Sequence, residues 1–144
     1  MFGARCVIAA IASAGAIVLT APAAATIQPP DTGYKILVPL FDRTASVSTD
    51  GSRLRVSGLQ SCRPAGAKEL IRVFVTQRGG AFATGRWSGH CTADRTPWKL
   101  TAVAEDGARF DPGSAKVCGV GIAFKGSTRN DAFQWCANIR IVAG

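Results

Sequence analysis

Thr49-Asp50-Gly51-Ser52-Arg53-Leu54-Arg55-Val56-Ser57 reads as a turn followed by a strand. Asp-Gly supplies the bend, because glycine reaches backbone angles closed to other residues. From Arg53 onward, charged and apolar side chains alternate with period two. In a pleated strand that alternation sends Leu54 and Val56 to a core and Arg53 and Arg55 to water. The same pattern continues on both sides. Ala45-Ser46-Val47-Ser48 leads into the turn. Glu69 to Gln77 is β-branched and aromatic and reads as a central strand. Arg78-Gly79-Gly80 turns the chain, and Ala81 to Trp87 returns as the second arm of a hairpin. Trp98 to Ala104, Ala115 to Phe124 and Phe133 to Val142 complete the strands. Turns at Glu105-Asp106-Gly107 and Asp111-Pro112-Gly113 and a polar loop from Lys125 to Asn130 separate them. Only Pro64 to Leu70 has the composition of one short helical turn. Seven or eight short strands in about 110 residues predict an antiparallel β-sandwich of immunoglobulin-like type. A small barrel would carry the same periodicity.

The N-terminus has a different character. Arg5 precedes an uncharged run of Ala, Ile, Val and Leu from Cys6 to Thr20, Pro22 breaks it, and Ala23-Ala24-Ala25 offers small residues for processing. This is the layout of a cleaved signal peptide over residues 1–25, which predicts a secreted protein with no membrane span in its mature chain. Residues 26–42 form a Pro-containing leader, within which Tyr34 to Leu40 fits an edge strand that tolerates Pro39. The sandwich domain spans 43–144.

Cleavage removes Cys6 and leaves Cys62, Cys91, Cys118 and Cys136. An even count in an exported chain predicts two disulfides. Three pairings exist, and Cys62–Cys91 with Cys118–Cys136 closes modest loops between segments able to lie side by side. A Cys118–Cys136 hairpin would centre on Ser127, inside the polar loop. Each bond should stabilise by about 2–4 kcal/mol. Zinc is not expected, because no Cys-x-x-Cys occurs and the sole histidine, His90, directly precedes Cys91. No other metal or cofactor pattern is present.

Gly85-Arg86-Trp87-Ser88-Gly89-His90 places the sole His two residues from a Ser, which would share a strand face. A small hydrolase using Ser88 and His90 is one reading. The stretch lacks the strand-to-helix turn of a nucleophile elbow, and a strand end beside a disulfide explains it as well. Nearly all acids lie in turn contexts, where Asp supports the bend itself. The global feature with a physical consequence is a net charge of +8 and a pI near 9.9. It favours anionic partners, foremost a polymer of the cell envelope. The twelve Arg residues are scattered, which argues against nucleic acid. Arg53 and Arg55 share a face, and Arg72 would join them from a neighbouring strand. Trp135 adjoins Cys136, so it faces outward if that cysteine faces inward, and is the candidate binding aromatic. The leading expectation is a secreted, non-enzymatic binding protein. A second is an inhibitor or effector that presents Lys125–Asn130, braced by Cys118–Cys136, to a protein partner.

Asp50-Gly51, Val56-Ser57-Gly58, Cys62, Val73-Phe74-Val75-Thr76-Gln77, Gly85, Cys91, Pro97-Trp98 and Pro112-Gly113-Ser114-Ala115 together resemble small secreted proteins of actinobacteria. Those proteins form a family of unknown function, and the match covers residues 43–117. The resemblance implies secretion, a β-sandwich and a core disulfide between Cys62 and Cys91. It carries over no catalytic residues.

Overall fold

A computed structural model of the chain describes residue 33 and residues 35–144. The expected signal peptide, and the leader up to residue 32, lie outside the described residues. Eight strands follow one another: β1 (Lys35–Phe41), β2 (Thr44–Val47), β3 (Arg53–Arg63), β4 (Lys68–Gln77), β5 (Phe82–His90), β6 (Thr96–Ala104), β7 (Gly113–Lys125) and β8 (Thr128–Ala143). The helical turn expected over Pro64 to Leu70 is absent. β4 begins at Lys68, one residue before the strand expected from Glu69, and buries Glu69, Ile71, Val73 and Val75 in alternation.

The hydrogen-bonded order β3-β6-β5-β4-β7-β8-β2 returns to β3, so seven strands close into a barrel with β1 laid beside β3. The periodicity allows a sandwich or a small barrel, and the ring closes as a barrel. β2 makes one joint. It pairs antiparallel with β3 through Ser46↔Arg55 and Val47↔Leu54, and parallel with β8 from Thr44↔Arg140 to Val47↔Ala143. The β5–β6 ladder makes the other, with Ala83↔Ala104 and Thr84↔Val103. The ring closes over short joints, and β5 has no β6 partner beyond Thr84. β1 shifts register against β3 between Leu37 and Leu40, at the site of Pro39, which has no N–H to give the ladder.

Leu54, Val56, Ile71, Val73, Val75, Trp98, Leu100, Val117, Ile139 and Ile141 fill the interior. Large aromatics fit there because glycines make room for them. Trp98 lies opposite Gly58, and Trp135 lies opposite Gly119. A Cβ on Gly119 would sit 2.6 Å from the Trp135 ring. The strand glycines at 119 and 121 therefore mark close packing, as their place in the pattern implied. Both expected disulfides form, Cys62–Cys91 and Cys118–Cys136. The second joins directly opposed residues of β7 and β8. The loop expected over 125–130 shrinks to Gly126-Ser127, since Lys125 already pairs with Thr128 and Gly126 adopts φ +61°.

Candidate functional site

Arg53 and Arg55 project outward from β3, on either side of buried Leu54. Their strand is held by a compact lattice at the preceding turn. The Ser48 hydroxyl donates to Asp50 Oδ1 (2.6 Å), and the Ser52 hydroxyl donates to Asp50 Oδ2 (2.7 Å). The backbone N–H of Arg53 donates to Ser48 Oγ (3.0 Å). These hydroxyl donors hold the Asp50 carboxyl well below its ordinary range. The turn thereby fixes where Arg53 starts.

Beside this turn lies a shallow cleft of about 310 Å³, lined by Arg53, Arg55, Ser46, Ser48, Thr101 and Gly144, with Val47 between the serines. β3 supplies the two guanidinium groups. β2 and β6 supply hydroxyls on either side, because Ser46 and Thr101 both register with Arg55. Neither guanidinium has an ion pair or a hydrogen bond among the described residues. Two forked cations and two cross-strand hydroxyls, with no Asp or Glu among the lining residues, suit a phosphate or carboxylate group.

Arg72 does not join them. It lies outward on β4 opposite Arg86, and two strands, β5 and β6, separate β4 from β3 on the shorter way round the ring. Trp135 does not face outward. It packs inward on Phe41, with ring centroids 5.1 Å apart, and its indole N–H is buried without a partner among the described residues. The reason is parity. Cys136 lies exposed on the outer face, which turns Trp135 inward with Ile139 and Ile141. Ser88 and His90 do share the exposed face of β5, where His90 registers with Lys68. Among the described residues no carboxylate bonds to that imidazole.

Composition gave no sign of a second polar centre at Glu69. This carboxyl is fully buried. Its Oε2 lies 3.2 Å from Cys62 Sγ, and its Oε1 has no partner among the described residues. Burial raises its pKa to about 7. Cys62, Cys91 and Glu69 bring their ligand-type atoms within 4.8 Å of one another, but the two sulfurs are bonded to each other and present no thiolate to a metal. The signal that could have revealed this centre was period two: Glu69 has the parity of Ile71, Val73 and Val75.

Compared with known proteins, the chain matches no family model and no curated sequence.

Proposed function

We propose that the chain is a secreted, non-enzymatic binding protein that holds an anionic group of the cell envelope in the cleft at Arg53 and Arg55. One observation carries this reading: two guanidinium groups, without a partner among the described residues, stand two residues apart on one strand, flanked by hydroxyls. Secretion is supported by two disulfides, which persist in oxidising surroundings, and by the apolar N-terminal run. The resemblance to small secreted actinobacterial proteins belongs to the same reading. The barrel is also read here as two sheets of immunoglobulin-like layout, β1-β3-β6 and β5-β4-β7-β8. Its support is that β2 and a two-pair β5–β6 seam are the joints between them.

The inhibitor reading has less behind it. The turn it would present is Gly126-Ser127 alone, and Cys118–Cys136 lies well down the hairpin from it.

The test uses cell walls freed of lipid by detergent and sedimented with the full chain over a salt series. Wild type should pellet at low salt and be released as salt rises. R53E/R55E should bind more weakly, by about tenfold for each guanidinium lost, and with a shallower salt dependence. Equal pelleting of variant and wild type would sink the assignment.

A further inference from the structure

The far side of the barrel carries a different surface. β5, β4, β7 and β8 lie side by side, and their outward positions hold no Asp or Glu. The carboxylate that reaches this face, Glu105, comes from the loop after β6 and accepts from Thr84 Oγ1 (2.9 Å). Exposed cations occupy the face at Lys68, Arg72, Arg86 and Lys116, with Arg129 at one end. Arg72 and Arg86 are direct cross-strand partners. Like charges in that relation oppose folding, and among the described residues no acid relieves them.

Apolar side chains fill the spaces between these cations. Phe74 and Phe82 stack with centroids 6.3 Å apart. Leu70, Val120, Ile122 and Phe124 are half-buried beside them, and Lys68 Nζ lies 5.9 Å from the Phe124 ring centre. Cys118–Cys136 staples the outer surface of β7 to β8. The face is therefore a broad, braced sheet that presents apolar surface and positive charge together.

We propose that this face docks the protein flat against a lipid bilayer with anionic headgroups. Charge complementarity selects the occupant: the cations need a dense negative surface. The interleaved Phe, Leu and Ile side chains need an apolar layer just beneath it, which a soluble acidic polymer lacks. A second copy of the chain would set like charges against like. The proposal goes beyond the cleft reading, lies on another face, and can fail separately from it.

The experiment sediments the full chain with phosphatidylcholine vesicles and with vesicles that also contain phosphatidylglycerol. Binding should require phosphatidylglycerol and weaken with salt. Each cation near an anionic leaflet strengthens partitioning about fivefold, so R72E/R86E should lower it about 30-fold or more. The charge-neutral R72Q/R86Q gives the same reading if the reversal fails to fold. R53E/R55E should keep vesicle binding to within about twofold, since those groups face away. Phe74→Ser should weaken binding to vesicles but not to soluble polyglutamate. Three results would overturn the proposal: no preference for phosphatidylglycerol, an equal loss in R53E/R55E, or polyglutamate binding as tight as vesicle binding and indifferent to Phe74.

Discussion

Gly58→Ala should destabilise the protein by about 3 kcal/mol or more, the upper range for overpacking a core. The reason is geometric. Gly58 pairs with Phe41 of β1 on one side and with Trp98 of β6 on the other. A Cβ built there would lie 2.0 Å from the backbone oxygen of Leu40 and 2.9 Å from the Trp98 ring. Neither neighbour can yield cheaply. Leu40 is held in the β1 ladder next to its register shift. Trp98 is a wholly enclosed core side chain, 2% exposed, and packs edge-on to Phe41. The methyl group must therefore push β1 off β3 or push Trp98 out of the core. Gly126→Ala serves as the control. Its φ is +61°, in the left-handed region, with nothing within 4 Å, so it should suffer only the backbone penalty, about 1–2 kcal/mol. Urea unfolding of both variants measures the contrast. A Gly58→Ala midpoint within error of wild type would mean the barrel adjusts at β1 more easily than the close approach implies.

Most of the fold could be read from alternation alone. Leu54 and Val56 face inward while Arg53 and Arg55 face out, as period two requires, and the two disulfides follow from four cysteines and the hairpin they frame. Closure could not be read. It depends on β2 reaching both β3 and β8 and on a two-pair seam between β5 and β6, and no local pattern encodes which distant strands meet. The same gap separates Arg72 from Arg53 and Arg55: each was rightly exposed, but only the strand order says they occupy opposite sides. The parity of Trp135 lies in its own strand, in the run Trp135, Ala137, Ile139, Ile141, and not in Cys136, because two opposed cysteines in a ladder can be linked on either face. Glu69 is hidden in composition because nearly all other acids sit in turns; only its position in the strand marks it as buried.

Glu69 should make the protein lose stability as pH rises from the acid side to neutrality. The carboxyl is fully buried, and one of its oxygens has no partner among the described residues. Burial penalises its charged form and raises its pKa from 4.5 to about 7. A carboxyl with a raised folded pKa binds its proton more tightly in the folded state than in the unfolded one. Its favourable contribution is whole below the unfolded value of 4.5 and declines as pH rises. It levels off above the folded value near 7. At about 1.4 kcal/mol per pKa unit, the decline amounts to at most about 3.5 kcal/mol. Asp50 contributes in the opposite sense, because its carboxyl is held low and its stabilisation is lost only in stronger acid. The two therefore act in separate pH windows. Glu69→Gln keeps the volume, removes the charge and leaves Cys62–Cys91 undisturbed. The variant should show little pH dependence across that window and exceed wild type by about 2–3 kcal/mol at about pH 8. Urea unfolding of both proteins across the window, with the disulfides oxidised, reads this directly. A wild-type stability that stays level, or a variant that declines in parallel, would show that Glu69 carries its charge in the core without penalty. The buried oxygen would then have to find a partner, by local opening toward Cys91 or by admitting water.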